Sequence, residues 1–145
     1  MVPTLLGRVQ TRLFLLAIVG GAVTALITPT LPLDGPASQR YQATFIVLAT
    51  VAVIGIAWEL IYHVLMQWRW EKDWPTLFGL LTLVPEGLVV WGLAHWRILP
   101  GLPGPVPTAA FAIHFVSVWV LVWLFANGPM RVPFIHWRFR GGRLL

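Results

Sequence analysis

Long apolar stretches alternate with short polar segments along the chain. A helix needs about 20 mostly apolar residues to cross the hydrocarbon core of a bilayer. Four stretches meet this requirement, and they cover residues 12–31, 42–66, 75–96 and 108–126. Backbone polar groups in lipid must be hydrogen-bonded within the chain, and a helix satisfies that requirement by itself. The pattern therefore predicts an all-α integral membrane protein, in which residues 1–145 form a single four-helix bundle.

Prolines lie where the predicted helices end or change direction. Pro29 and Pro32 follow the first stretch, and Pro129 follows the last. The third stretch contains Pro85, which has no N–H to donate to the carbonyl of Leu81 one turn earlier. We therefore expect the third helix to be interrupted near Pro85.

Composition supports a membrane location. Hydrophobic residues make up 58% of the chain and charged residues 10%, against about 25% charged in an average soluble domain. These values exclude a disordered chain and a soluble globular domain. Most of the basic residues lie between the apolar stretches rather than in one solvated patch, so we expect no nucleic-acid partner. The absence of cysteine excludes disulfides and thiolate metal sites, and the excess of arginine over lysine indicates a bacterial source.

The basic residues are distributed unequally between the two sides of the predicted bundle. Those at the N-terminus, in the second loop and after the fourth stretch number eight, whereas the first and third loops carry Arg40 and Arg97. Cytoplasmic segments of membrane proteins are enriched in lysine and arginine. We therefore expect both termini to be cytoplasmic and the chain to be a multi-pass protein of the cell (plasma) membrane.

Several polar side chains interrupt the apolar stretches. A charged group near the bilayer centre costs about 3 kcal/mol or more, so Glu59 and Glu86 require an explanation. Residues three or four apart lie on one face of a helix. By this spacing, each predicted helix has one face that carries more than one polar or small residue. If these faces point inward, they form a buried site for a ligand or a proton, made of Thr24, Glu59, His63, Thr82, Glu86, His114 and Ser117.

Two contacts are expected inside this site. Glu86 lies near the middle of the third helix and His114 about one turn further out, so these two side chains should meet. Glu59 and His63 should form a second pair nearer the cytoplasm. Structural alternatives remain open, because a buried glutamate can be protonated and bond a neighbouring helix. Glu59 and His63 can also reach Arg69 at the interface, and His114 with Ser117 can form an ordinary interhelical bond.

No motif for catalysis or cofactor binding accompanies these residues. Di-iron bundles use Glu-x-x-His on two helices, whereas this chain has one Glu-x-x-x-His, from Glu59 to His63. A haem held by both His63 and His114 is disfavoured, because their expected depths differ by about three turns. We therefore assign no catalytic residue, no metal ligand and no cofactor.

The last segment, residues 128–145, is basic and aromatic. Its arginines alternate with bulky apolar side chains, a pattern suited to the headgroup layer, where arginine binds phosphate and rings lie below. The expected contact is with anionic lipid at the cytoplasmic face or, alternatively, with a partner subunit. The residues predicted to make this contact are Arg131, Trp137, Arg138, Arg140 and Arg143.

Three functions are compatible with these features. The small size, the lack of a catalytic motif and nine tryptophans, more than two interfacial belts need, favour a non-catalytic accessory subunit. Its partners would be the other integral membrane subunits of a larger complex. A second hypothesis is a small transport or proton-handling protein with Glu86 as its central group. A third is a membrane enzyme that acts on a lipid-soluble substrate, with Glu86 and His114 as acid and base.

Overall fold

The computed structural model describes residues 4–70 and 75–145, and every regular element within these ranges is helical. Four helical segments, here called spans 1 to 4, are long and apolar enough to cross a membrane. They are Leu5–Thr30, Ala37–Gln67, Thr76–His95 and Thr108–Arg131. The predictions of an all-helical chain and of four helices long and apolar enough to span a membrane are confirmed, whereas membrane insertion and the orientation of the termini stay predictions.

Span 1 is divided into segments of different helical geometry, namely α1 (Leu5–Leu15), a π-helical turn (Leu16–Gly20), α2 (Gly21–Ile27) and a 3₁₀ turn (Thr28–Thr30). Its start is fixed by Thr4, whose hydroxyl oxygen accepts a hydrogen bond from the Gly7 N–H at 3.1 Å. Hydropathy placed the start of this span near Arg12, because Arg8 and Arg12 interrupt the apolar run. Both arginines are instead part of the helix.

The π-turn changes which side chains of span 1 point into the bundle. Successive residues of an α-helix are rotated by about 100°, so Arg12 and Thr24 would differ in direction by about 120° along an uninterrupted helix. A π-turn takes in one extra residue, which reduces this difference to about 20°. The turn Leu16–Gly20 lies between the two residues and therefore brings Arg12 onto the inward side that Thr24 occupies.

Spans 2 and 3 differ in regularity. Span 2 is one helix, α3 (Ala37–Gln67), whereas span 3 is divided at Thr82 into α4 (Thr76–Leu81) and α5 (Leu83–His95). The interruption lies about one turn before Pro85, where the missing proline N–H leaves a carbonyl without its helical donor. The Thr82 hydroxyl donates to the carbonyl of Gly79 at 2.9 Å.

Span 4 continues into the C-terminal segment. It contains α6 (Thr108–Asn127) and a 3₁₀ turn (Pro129–Arg131), and α7 (Ile135–Phe139) follows it. The segment after span 4 folds back against α1, where the Thr4 N–H donates to the carbonyl of Gly141 at 2.8 Å. The start of α1 and the C-terminal segment therefore lie at one end of the bundle, here called the terminal end.

The four spans follow one another around a closed bundle. Helix α1 packs against α3, α3 against α5, α5 against α6, and α6 against the π-turn of span 1. Side chains from all four spans meet in a buried apolar core that includes Leu16, Val51, Val90, Phe115 and Val118. Many other large apolar side chains of the described residues lie on the outer surface.

Candidate functional site

Arg12 connects three spans through its guanidinium group. Its Nη1 and Nη2 atoms donate to Oε2 and Oε1 of Glu86 at 2.7 and 2.8 Å, and its Nε donates to Oε1 of Glu59 at 2.8 Å. The second oxygen of Glu59 accepts from Nε of Arg8 at 2.6 Å. These four side chains, Arg8, Arg12, Glu59 and Glu86, are here called the ion network.

The ion network is buried and its formal charges sum to zero. Glu86 is 1% exposed, and the side chains of Arg8 and Arg12 are 10% and 11% exposed. Desolvation of charged groups is costly and is offset only when the geometry is good and the remaining donors are satisfied. The two-point pairing of Arg12 with Glu86 has the parallel geometry in which such pairs are strongest.

The space around Arg12 is shaped by small and aromatic residues of the neighbouring spans. A Cβ atom built at Gly55 would overlap Nη1 of Arg12 and would lie 2.8 Å from its Cδ. On the other side, the guanidinium carbon lies 5.5 Å from the ring centroid of Trp119, within the range of a cation–π contact. The missing side chain at Gly55 therefore provides the room in which Arg12 reaches two carboxylates.

His114 belongs to a second polar cluster, so the expected contact between Glu86 and His114 is wrong. The Nε2 atom of His114 lies 2.8 Å from Oγ1 of Thr24. The Thr28 hydroxyl donates to the carbonyl of Thr24 at 2.6 Å and lies 2.9 Å from Oγ1 of Thr44. Both oxygens of Glu86 are taken by Arg12, which the sequence analysis had counted only as an orientation signal at the start of the first span.

The remaining predicted site residues contribute less to either cluster. The expected pair of Glu59 and His63 is replaced, because the two oxygens of Glu59 bind Arg8 and Arg12. His63 is half-buried, and its Nδ1 has no hydrogen-bond partner among the described residues. The Thr82 hydroxyl donates to the carbonyl of Gly79 in the same span. Ser117 is partly exposed.

A cavity of about 230 Å³ lies beside the ion network at the terminal end of the bundle, and it is here called the terminal cavity. Arg8, Arg12 and Glu59 form its charged part. Most of the remaining lining is apolar and comes from span 1, span 4 and the C-terminal segment. It includes the three indoles of Trp119, Trp123 and Trp137.

Hydrogen bonds hold all three of these indoles in place, and Nε1 of Trp119 donates to the carbonyl of Gly79 at 3.4 Å. Nε1 of Trp123 donates to the carbonyl of Thr76 at 3.0 Å, and Nε1 of Trp137 donates to the hydroxyl oxygen of Thr11 at 2.7 Å. An indole with its N–H satisfied presents only apolar surface elsewhere. The terminal cavity therefore combines a fixed aromatic wall with one charged wall.

The C-terminal segment is held by the chain's own first helix. A Cβ atom at Gly7 would overlap the carbonyl oxygen of Gly141 and would lie 2.7 Å from the carbonyl carbon of Gly142. The Thr11 hydroxyl donates to the carbonyl of Gly142 at 3.0 Å, and the Leu144 N–H donates to Oε1 of Gln10 at 3.0 Å. The segment therefore closes against α1 and contributes to the lining of the terminal cavity.

The predicted lipid or partner contacts of this segment fall into two groups. Trp137 is half-buried and bonds Thr11, so it packs within the chain. The four arginines are exposed, and their contacts with lipid or with a partner remain predictions. They are Arg131, whose Nη2 donates to Oδ1 of Asn127 at 2.9 Å, and Arg138, Arg140 and Arg143.

Sequence reasoning missed Arg8 and Arg12 as site residues, because it counted them only as orientation signals. One signal pointed to them. Two buried carboxylates in spans 2 and 3 require cations, and these arginines are one turn apart beside the first apolar stretch. Their spacing places both on one helix face, so a single face can serve both carboxylates.

Comparisons with known proteins assign no role to this site. No protein-family model matches the chain, and neither curated proteins nor solved structures show a significant match to it. Within residues 4–70 and 75–145, no three histidine, aspartate or glutamate side chains are grouped as metal ligands would be.

Proposed function

We propose that this chain is a small membrane protein that binds an amphipathic molecule in the terminal cavity. Binding of this kind is the first step that the transport hypothesis requires. The observation that carries the proposal is the junction of an aromatic wall with a buried ion network inside one cavity. Ligand pockets have this composition in general, with mostly apolar walls and a few fixed polar groups.

The size of the cavity limits the ligand. Its volume of about 230 Å³ is below the range of roughly 300–1,000 Å³ that is typical of sites for drug-sized molecules. The expected ligand is therefore a small amphiphile or one end of a longer molecule. Its apolar part would lie against Trp119 and Trp123, and its polar head would lie near Arg8 and Glu59.

The enzyme hypothesis receives less support than binding. General acid–base catalysis needs a group that can give or accept a proton beside the reacting atom. Both carboxylates of the ion network are paired with arginine, and His114 bonds Thr24 in the other cluster. The geometry therefore favours a binding site over a pair of catalytic groups.

The accessory-subunit hypothesis is the second candidate, and the complete pairing within the ion network favours it. Such a network ties spans 1, 2 and 3 together without any ligand. The abundance of tryptophan was expected to reflect contacts with partner subunits. It gives weaker support to the accessory-subunit hypothesis, because Trp119, Trp123 and Trp137 line a cavity of this chain. Its partners would again be other integral membrane subunits.

The terminal end is proposed to face the cytoplasm of a bacterial cell, with the bundle in the plasma membrane. The support is the excess of basic residues at that end. The exposed side chains of Arg138, Arg140 and Arg143 would then lie at the level of anionic headgroups.

The proposal is tested with a brominated alcohol, because bromine quenches the fluorescence of an indole that it touches. We expect 8-bromooctanol to quench the purified wild-type protein with a saturable component above a linear background from detergent. Ala126→Phe places a ring in the terminal cavity, since Ala126 lines it, and should remove the saturable component.

The matched control is Ala109→Phe on the same helix, at an exposed residue that does not line the terminal cavity. This variant should keep the saturable component. Val122→Phe is a second cavity-filling variant, to be used if Ala126→Phe does not fold. Absence of saturation in the wild type, or its persistence in a folded cavity-filling variant, would overturn the proposal.

A further inference from the structure

Helix α4 lies between part of the terminal cavity and the outer surface of the bundle. Gly79 of α4 lines the cavity, whereas Leu77 and Leu81 of the same helix are 59% and 53% exposed. Span 3 is long and apolar enough to cross a membrane, so these leucines would lie against lipid. Movement of α4 away from span 4 would therefore open the cavity toward the lipid.

The two halves of span 3 differ in how firmly they are held. In the first turn of α5, Glu86 is 1% exposed and binds Arg12 through both carboxylate oxygens. In contrast, none of the six residues of α4, all of which the structure describes, is buried. Local opening occurs most easily in segments with few buried contacts. We therefore expect α4 to move at a lower cost in free energy than α5.

The junction between α4 and α5 lacks one helical donor. The Thr82 N–H donates to the carbonyl of Phe78 at 3.0 Å, and the Thr82 carbonyl accepts from the Glu86 N–H at 3.2 Å. Thr82 thus ends one helix and begins the next. Pro85 has no N–H for the carbonyl of Leu81, so one of the bonds that would join the two helices is missing. Helices bend most readily at such positions.

Two indoles of span 4 hold α4 against the bundle. Nε1 of Trp123 donates to the carbonyl of Thr76 at 3.0 Å, and Nε1 of Trp119 donates to the carbonyl of Gly79 at 3.4 Å. Both indoles also line the terminal cavity. The bonds that position α4 therefore lie in the wall of the binding site itself.

We propose that α4 is a gate, hinged at Thr82, through which the ligand passes between the terminal cavity and the surrounding lipid. This inference rests on the proposed function. The bonds from Trp119 and Trp123 stabilise the closed gate. The ring of Phe78 adds a contact with Arg69, whose guanidinium carbon lies 5.5 Å from the ring centroid. The ion network stays in place when the gate opens, because it belongs to the other side of the hinge.

The C-terminal segment forms another wall of the cavity, but its attachment makes it a less suitable entrance. The Thr4 N–H donates to the carbonyl of Gly141 at 2.8 Å, and the Thr11 hydroxyl donates to the carbonyl of Gly142 at 3.0 Å. The backbone of the segment also packs closely on Gly7. Its removal would break these contacts together, whereas α4 is displaced by bending at one junction.

The test measures how fast 8-bromooctanol enters and leaves the protein in lipid nanodiscs, from the time course of indole quenching. A weaker closed gate raises the association and dissociation rate constants by the same factor, whereas a lost wall contact mainly raises the dissociation rate constant. Trp123→Phe keeps a ring and removes the bond to Thr76. Both rate constants should rise about fivefold, the effect of one ordinary hydrogen bond.

Pro85→Ala tests the hinge in the opposite direction. The substitution supplies the missing N–H to the carbonyl of Leu81 and makes a continuous helix more favourable. Both rate constants should therefore fall by a similar factor of about five.

Two further tryptophan variants serve as comparisons. Trp91→Phe is the matched control, because Nε1 of Trp91 donates to the Thr108 hydroxyl oxygen at 3.3 Å and Trp91 does not line the terminal cavity. Its rate constants should equal those of the wild type. Trp137→Phe weakens the C-terminal segment instead. A faster association in this variant, without one in Trp123→Phe, would assign the entrance to that segment and overturn the gate.

A second measurement follows the hinge without a ligand. Nitroxide labels on Leu77→Cys and Leu88→Cys lie on exposed positions of α4 and α5, and labels on Ile113→Cys and Leu124→Cys have the same sequence separation on the single helix α6. The chain has no cysteine of its own. Electron paramagnetic resonance should give a broader distance distribution for the pair across the hinge, and Pro85→Ala should narrow it.

The outcomes separate the gate from the binding function. Saturable quenching with unchanged rate constants in Trp123→Phe and Pro85→Ala would leave the binding function standing and overturn the gate. Equal widths for the two pairs of labels would overturn the hinge, and this comparison decides the inference if the rate variants do not fold. Absence of saturable quenching in the wild type would overturn the proposed function and, with it, a gate that has no ligand to admit.

Discussion

The guanidinium of Arg12 occupies the volume that a side chain at Gly55 would need. Although Arg12 is long and flexible, it is held by hydrogen bonds to Glu59 and Glu86 and cannot move aside without losing them. Gly55→Ala should therefore destabilise the protein by about 1–3 kcal/mol through overpacking. The measurement is unfolding in mixed micelles, followed by helical circular dichroism.

Gly21→Ala is the matched control for Gly55→Ala. A Cβ atom at Gly21 would meet no heavy atom within 4 Å, so this substitution should leave stability unchanged or slightly raised. Equal stability of the two variants would contradict the packing of Arg12 against Gly55.

Removal of Arg12 should be more damaging than removal of both Arg12 and Glu86. Arg12→Met leaves the carboxylate of Glu86 buried without its cation, which costs about 3–5 kcal/mol for a typical buried pair. Adding Glu86→Gln removes the unpaired charge and should restore part of the loss, while Glu59 keeps Arg8. A double-mutant cycle of unfolding free energies measures this coupling.

The exposed residue Arg138 provides the control for this cycle. Arg138→Met should change stability by less than about 0.5 kcal/mol, as surface substitutions usually do. Additive effects of Arg12→Met and Glu86→Gln would show that the two side chains are not coupled.

Hydropathy was sufficient to predict the four spans, because lipid imposes a length and an apolar composition on any helix that crosses it. The interruption near Pro85 was also predictable, since a missing N–H acts locally. These features depend on short segments of sequence, and the structure has both.

The ion network was not predictable in the same way. Glu59 and Glu86 were recognised as buried candidates, but their partner Arg12 points inward only because the π-turn Leu16–Gly20 rotates the start of span 1. A π-turn arises from tertiary packing and has no clear sequence pattern. Because Arg12 was missing from the expected site, His114 was assigned to Glu86, although Thr24 binds it.

The docking of the C-terminal segment should depend on the absence of a side chain at Gly7. A Cβ atom there would overlap the backbone of Gly141, and backbone cannot move aside as cheaply as a side chain. Gly7→Ala should therefore expose the segment and raise the rate of tryptic cleavage after Arg138 or Arg140 by roughly tenfold.

The control for Gly7→Ala is Gly104→Ala, where a Cβ atom would meet nothing within 4 Å. Its cleavage rate should equal that of the wild type. If Gly7→Ala is cleaved no faster than Gly104→Ala, the close contact between Gly7 and the C-terminal segment is wrong.

The contribution of the hydrogen bond between Thr24 and His114 to the free energy of unfolding can be measured by removing the bond. Thr24→Val keeps the shape of the side chain and leaves a buried ring nitrogen without its partner, which costs about 1–3 kcal/mol. Thr24→Ser keeps the hydroxyl and should cost less, although it loses one buried methyl group. Greater destabilisation by the serine variant would contradict the hydrogen bond in favour of simple packing.

The orientation of the bundle can be tested with introduced cysteines, because the chain has none of its own. Ser38 is exposed near the start of α3, at the end of the bundle opposite the terminal end, and Leu145 is 95% exposed at the terminal end. With both termini in the cytoplasm, a membrane-impermeant maleimide should label Ser38→Cys in intact cells. It should label Leu145→Cys only after lysis.

This experiment separates orientation from the presence of the four spans. Labelling of Leu145→Cys alone in intact cells would reverse the orientation and place the terminal cavity on the outer side. Spans 2, 3 and 4 lie between Ser38 and Leu145, so the four-span arrangement places the two residues on opposite sides of the membrane. Labelling of both variants in intact cells would require an even number of crossings and would contradict this arrangement. Because the cavity and the exposed arginines share the terminal end, the result also decides which leaflet and which aqueous compartment supply the ligand.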